Sequence, residues 1–555
     1  MLDTYKLHPA LAFWQTGQFG GRGVFNESWD LFRDKDDLMQ GMTVCVELVF
    51  GHDKIVRIAA KDINVTDTAG NDYHFEPLLQ DWPSITRSYQ VGTSSSQARS
   101  MAIALPSSLV KPYDLIRRNR MLAGIGEISL MFDGGNYDER IVLVRGQMDS
   151  GVTFSPSGGF IETSVTDPKS GVDVALPPYV ISEEGFSDVP EPSIGERFPI
   201  IMSTMEYAPA TFVSGASTGT TPEALVCEGS NTIEKVYVNG LEYSSTHYLY
   251  GWTTVHKSDD LGQPYTAIYF NKAAGVWDFT EGVYAKVVNN SESILNPIAQ
   301  VRLLATSYST LGKVGINEFL FARAESKIGN LSSRVCLNAG GSNNTSCLSF
   351  IESEFCASFP MISMVWQAGG YGPVVTDRTQ VSQISGYLVS NQAPLMSRAT
   401  IVQETAVTDI FNEFTLRYSY NAMEDVYEGV STRTSSNSLI CKASQEMVGY
   451  NPCDVIDSVW IHDSKTAEYV LDWLVAHTSA PSYYVEYQCN PSIFFRFSLG
   501  DNIALTDNEF SWSEQIATVE TLSLAKGYCT IGLRVWSIFT NIGGGANTFE
   551  TSVGL

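Results

Sequence analysis

Phe497-Ser498-Leu499-Gly500-Asp501-Asn502-Ile503-Ala504-Leu505-Thr506 decides the fold. Gly500 relieves the steric limit on a tight turn, and Asp501 can accept hydrogen bonds from nearby backbone N–H groups. Beyond the turn, Ile503-Ala504-Leu505 reads as a strand. Before it, Phe495, Phe497 and Leu499 alternate with Phe494, Arg496 and Ser498, the period of two that marks a strand. A short apolar run on each side of a Gly-Asp turn predicts sheet.

The neighbouring segments extend this pattern. Upstream, Asp463 or Ser464 caps a helix through His477, with Ala467, Val470, Leu471, Leu474 and Val475 as its apolar stripe. A strand follows at Tyr483–Tyr487. Downstream, Val519–Leu524, a Lys526-Gly527 turn and Cys529–Trp536 predict a hairpin. Phe414–Tyr420 is strongly β. Farther back, Asn317 is a helix N-cap before Glu318–Arg323, and Leu348, Ile351 and Phe355 lie on one face of another helix. Met361–Trp366 is a strand closed by Gly369-Gly370-Tyr371-Gly372.

The first half is sheet as well. Val44, Val46, Val49 and Phe50 lead through Gly51-His52-Asp53 into Ile55–Ile58, a hairpin. Ile128, Leu130, Ile141 and Leu143 flank Asp133-Gly134-Gly135-Asn136, a second hairpin. A further strand pair is expected over 150–175 and a short helix near 107–121. Pro190, Pro192 and Pro199 mark 183–199 as a semi-rigid connector. After it come Phe198–Met202, Ala224–Cys227, a strand through Val236 and Val238 into Asn239-Gly240, and Tyr265–Phe270.

The expected fold is mainly β with α+β parts: small antiparallel β-barrels plus a small helix-containing middle domain. The expected division is an N-terminal arm at 1–41, a β-barrel-like domain at 42–182, and a small β domain at 196–298. An α+β middle domain then spans 299–394, and a second β-barrel-like domain with one helix spans 395–540. A flexible tail occupies 541–555. The aromatic stretch 1–40 suits either a loop on the core or an arm on a neighbour.

Charge narrows the functions. The chain carries 61 Asp+Glu against 35 Lys+Arg, a net charge of −26. Such a surface repels phosphate backbones, and the densest basic group is only Arg117, Arg118 and Arg120. No apolar run reaches 18 residues, so stable membrane insertion is not expected. Met1–Gly20 lacks a basic start and an apolar signal core, which predicts synthesis and retention in a cytoplasm. The charged fraction of 17% is low and fits sheet surfaces that pair or pack against neighbours.

Chemistry is hard to find. Gly215-Ala216-Ser217-Thr218-Gly219 matches a nucleophile elbow in letters, but Thr220-Thr221-Pro222 follows, where a helix is needed. Seven histidines include no His-x-x-x-His pair, and the helix dipole suffices to explain His477. Acidic pairs such as Glu183-Glu184 and Asp259-Asp260 read as exposed loop acids. Nine cysteines contain no Cys-x-x-Cys and read as buried free thiols. No catalytic, cofactor-binding or metal residue is expected, and no cofactor.

Asp463-Ser-Lys-Thr-Ala-Glu-Tyr-Val-Leu-Asp-Trp-Leu474, then Pro481, an extended strand and the Phe497–Thr506 turn resemble the hub proteins of tailed-bacteriophage tail tips and baseplates. The likeness spans 300–536. Asn317–Arg323, the helix after Ser346 and Met361–Trp366 are similar to the family's middle domain. Residues 194–240 are similar to a segment of siphophage tail-tip proteins. The resemblance implies a structural virion protein, not an enzyme, in a homotrimeric ring whose two related β-barrels alternate. It implies neighbours: a tail tube or distal tail protein, a tail fibre or tip protein, and a tape-measure protein. It implies that DNA passes only in transit, and the net charge suggests the hypothesis that acids line its path. The location implied is the virion tail tip, after synthesis in the host cytoplasm. No long fibre-like extension follows Trp536, so receptor binding is expected to fall to another protein. The competing readings are a receptor- or glycan-binding module and a glycan-degrading enzyme. The first predicts an exposed aromatic platform and the second a cleft with convergent carboxylates.

Overall fold

The computed structural model describes residues 42–50, 54–79, 85–89, 100–106, 125–132, 134–148, 153–155, 160–166, 175–215, 221–248, 251–271, 279–289, 295–309, 315–337, 346–367, 370–377, 384–392, 397, 399–525, 527–540 and 548–550. The expected arm at 1–41 and helix near 107–121 lie outside the described residues. So does most of 541–555, of which Thr548–Glu550 pairs antiparallel with Ile538–Thr540.

The chain is β-rich and multidomain, built on three seven-stranded sheets. The first sheet is antiparallel, in the order Lys54–Ala59, Met42–Phe50, Ile125–Phe132, Ile141–Met148, Phe160–Thr166 and Ser100–Pro106. Thr153–Ser155 adds to Phe160–Thr166. Both hairpins read from the sequence are present: Val46 pairs Ile58, and Ile128 pairs Val144. Alternation sends Val44, Val46 and Leu48 into the main core. Cys45, on the other face, is buried under Phe75 and Tyr137.

The second sheet runs Leu241–Tyr243, Thr232–Val238, Val283–Val288, Thr204–Ser214, Glu223–Glu228, Pro264–Phe270 and Trp252–Ser258. Its Asn239-Gly240 turn has φ of +49° and +77°, the conformation that favours this residue pair. The proline-rich segment before the sheet packs onto it. Phe186 and Phe198 meet Tyr265 at ring distances of 5.4 and 6.1 Å, above buried Val213 and Leu225. Aromatic burial thus anchors the segment read as a connector.

The third sheet joins distant parts of the chain. Its order is Ile384–Val389, Asn502–Asp507, Trp512–Ala525, Tyr528–Trp536, Ser482–Cys489 and Ile401–Glu404. Ile85–Ser88, from the first unit, pairs with Trp512–Ala525, placing Ile85 opposite Leu524. Beneath it one core mixes Leu48, Ile128 and Val165 with Val485, Leu505, Val519 and Leu533. One expectation fails locally. Residues 492–496 form a short helix, where the sequence suggested a strand. Asn490 Oδ1 accepts from Ser492 N at 2.9 Å, Phe494 N donates to Pro491 O, and Phe497 N to Ile493 O. These bonds turn Ile493, Phe494 and Phe497 inward at helical spacing, so a run of aromatics mimicked alternation.

A helical core forms a second large buried cluster. It gathers helices Pro297–Ser307, Glu318–Ile328 and Ser464–Thr478 with the helical run Cys347–Ser358, which carries a π turn over Ile351–Phe355. Hairpin Ile362–Gln367/Gly370–Val375 completes it, and Trp460 is fully buried against Phe355. The sequence-read caps are made. Asn317 Oδ1 accepts from Leu320 N at 3.2 Å and Asp463 Oδ1 from Thr466 N at 2.8 Å. Asp463 Oδ2 also takes the Ser332 hydroxyl. Asp463→Ala is therefore expected to cost about 1–2 kcal/mol of stability, read as a lower denaturant midpoint at unchanged slope.

Candidate functional site

The Leu499-Gly500-Asp501 turn sits where the units meet. Leu499 packs with Tyr89 from the first unit and with Leu320, Val365 and Val374 from the helical middle. Gly500 has φ +75°, and a Cβ there would fall 2.4 Å from Val374 Cγ1. Both conformation and space require glycine. Gly500 N donates to Val519 O and Val519 N to Asp501 O, each at 2.9 Å, which seats the turn on the third sheet.

Charge is concentrated beneath it. Asp501 Oδ2 accepts from Ser498 N at 2.7 Å, and Oδ1 pairs with the Arg323 guanidinium. One helical turn on, Lys327 Nζ donates to Val375 O at 3.0 Å and Gly500 O at 3.3 Å. Burial, reinforced by the Arg323 charge, pulls the lysine down to about 8 against the opposing pull of Asp501 and Asp377. Asp377 Oδ2 accepts from Tyr469 OH at 2.9 Å, while its carbonyl accepts from Asn502 Nδ2 at 2.7 Å. Tyr89 OH lies 2.8 Å from Thr376 Oγ1, and Trp473 Nε1 donates to Thr376 O at 2.6 Å. Helix Glu318–Ile328, the strand end at 376–377, helix Ser464–Thr478, the turn and Tyr89 thus share one polar network. Its groups are engaged with one another, which suits rigid coupling of units rather than turnover.

The sequence-selected residues do not converge there. Ser217 lies outside the described residues; Gly215 N, close by, donates to Asp188 Oδ2 at 3.0 Å. Glu183 and Glu184 are exposed. Asp260 is exposed, but Asp259, read as an exposed loop acid, is buried, because its Oδ1 accepts from Leu261 N and Gln263 N and so shapes its own turn. His477 is buried, stacked on Trp473 at 4.2 Å and edge-on to Trp536 at 4.9 Å, with Nδ1 2.8 Å from Trp473 O. Burial and the nearby Arg334 charge lower the pKa of His462. All nine cysteines are free thiols. Among the described residues no cluster of three or more His, Cys, Asp or Glu could hold a metal, and no helix is long and apolar enough to cross a membrane. Arg323 and Lys327 were not selected. Their signal was two cations four apart on the apolar face of Leu320, Ala324 and Ile328.

A second feature is the edge of the third sheet. Ile401–Glu404 pairs along one side with Ser482–Cys489, and all four of its residues are exposed. Ile401 and Val402 show 47% and 43% of their surface. On the strand at the opposite edge, Tyr387 is 61% exposed.

No family model matches the chain, and no curated protein matches it. Among solved structures it is similar to the 43 kDa tail protein of prophage MuSo2 from Shewanella oneidensis, at 9% identity and a TM-score of 0.35, over 89% of this chain and 97% of that one. It is similar to a chain of the virion of a native gene transfer agent particle, at 15% identity and 0.18, over 48% and 85%. A third is a chain of the p2 virion baseplate in its activated conformation, at 9% and 0.16, over 65% and 97%.

Proposed function

We propose that the chain is a structural subunit of a phage tail, forming a hub ring at the tail tip or baseplate. The observation that carries the reading is the edge strand Ile401–Glu404. Among the described residues its outer side meets no strand, and two apolar side chains stand exposed on it. Such an edge is a template for another chain, and a closed ring of copies covers it. The resemblance over 300–536 supports the same reading, because its Leu-Gly-Asp turn anchors the junction between units. The ring joins the tube or distal tail protein to the fibre or tip protein and surrounds the tape-measure protein. A net charge of −26 suits a wall past which DNA slides without sticking.

Native mass measurement over a concentration series, followed by imaging, tests this. Trimeric rings are expected. Val402→Lys in the edge strand is expected to weaken self-association by about tenfold or more, with unfolding unchanged, since the residue is exposed in the single chain. A chain that stays monomeric up to its solubility limit, or whose assembly ignores that lysine, overturns the ring.

A further inference from the structure

Two cysteines face each other across the third sheet. Cys489 ends strand Ser482–Cys489, Cys529 is second in Tyr528–Trp536, and the register places them directly opposite. Opposed residues of an antiparallel pair have Cα atoms about 4.5–5.5 Å apart, inside the range that a disulfide spans. The side chains of directly opposed residues lie on the same face of the sheet. Cys489 Sγ lies 3.3 Å from Cys529 O, which places its thiol against the opposing cysteine's backbone. Both residues are fully buried in the main core.

We propose that Cys489 and Cys529 form an oxidation site, closing a cross-strand disulfide when the folded chain meets a small-molecule disulfide. One cysteine, as thiolate, attacks the reagent RSSR, forming a mixed disulfide and releasing RS⁻, which takes up a proton. The second cysteine, as thiolate, displaces the remaining RS⁻. The protein loses two hydrogens, and RSSR becomes two RSH. Burial makes this slow, and the position supplies the route. The pair is the last rung between Ser482–Cys489 and Tyr528–Trp536, close to Gly527, with φ +86°, and to Tyr528, which is 40% exposed. Local opening at this end of the sheet, where Ser482–Cys489 stops, is the route by which the reagent reaches the sulfurs. A reducing compartment leaves the pair as thiols and an oxidising one locks it.

The test is oxidation of the full native chain with oxidised glutathione, quenching by alkylation and peptide mapping. The expected product links Cys489 to Cys529 and leaves the other seven cysteines alkylated. Dithiothreitol reverses it, and the link raises the unfolding temperature by about 5 °C. In Cys489→Ala no internal link forms, and Cys529 carries glutathione. The proposal fails if both cysteines of the native chain remain alkylatable after prolonged oxidation. It also fails if either stays glutathionylated beside its free partner, or pairs with a different cysteine. The wild-type map decides even if the variant does not fold.

Discussion

Asp501→Ala is expected to lower the stability of the folded chain by about 3–5 kcal/mol, the range found when one partner of a buried ion pair is removed. The carboxylate side chain is 8% exposed and faces two cations of one helix. Its loss leaves Arg323 and Lys327 close together in a buried site with one countercharge fewer. It also removes the acceptor for Ser498 N. Asp501→Asn separates the two effects. The amide oxygen can still take the Ser498 N–H, but the charge is gone, so a loss smaller than that of alanine is expected. The measurement is denaturant unfolding followed at the Trp473 side, where the same network holds the indole. Alanine costing under about 1 kcal/mol, the worth of an exposed pair, contradicts the assigned role.

Alkali is expected to unfold the chain between about pH 10 and 11, below the range that a protein without buried thiols would tolerate. Burial pushes Cys45, Cys227 and Cys336 up to about 12, and Cys356 is raised as well. Unfolded, these thiols ionise near 9. From there to about 12 the folded chain holds more protons, so stability is complete below pH 9 and falls as pH rises. Each group removes about 1.4 kcal/mol per pH unit, and the four together about 5–6, against a total near 5–15. Burial raises Tyr89 and Tyr265 in the same sense. Lys327 works the other way. Its folded value near 8 lies below the unfolded value, so the folded state gains about 3 kcal/mol at most between pH 8 and 10.4. One lysine does not offset four thiols. Circular dichroism against pH checks this, and a chain still cooperatively folded at pH 12 would refute it.

Local chemistry was legible in the sequence. The Gly500-Asp501 turn, the Asn317 and Asp463 caps and the hairpins around 51–53 and 133–136 each depend on residues within a few positions. The Gly500-Asp501 turn and both caps form as their side chains dictate, and the strands that flank 51–53 and 133–136 pair as read. The partners of those elements were not legible. Asp501 meets Arg323 across 178 positions, and Thr86 meets Ser523 across 437. Neither periodicity nor capping carries information over such distances. Apolar residues that report burial likewise do not report whom they are buried against, so the common core of the first and last β units was invisible. The helix at Ser492–Arg496 was misread because its two phenylalanines, with Phe497 just beyond it, satisfy either period within so short a run.

The placement of Ile85–Ser88 bears on how the molecule is made. A ribosome releases this strand more than four hundred residues before Trp512–Ala525, its partner, exists. Until then its edge and the apolar face of the first sheet have no lasting cover. Closing so wide a loop is slow, and prematurely released amino-terminal fragments are expected to clump unless a chaperone shields them. An early strand is therefore secured late: Ile85–Ser88 gains its partner only once Trp512–Ala525 has been made.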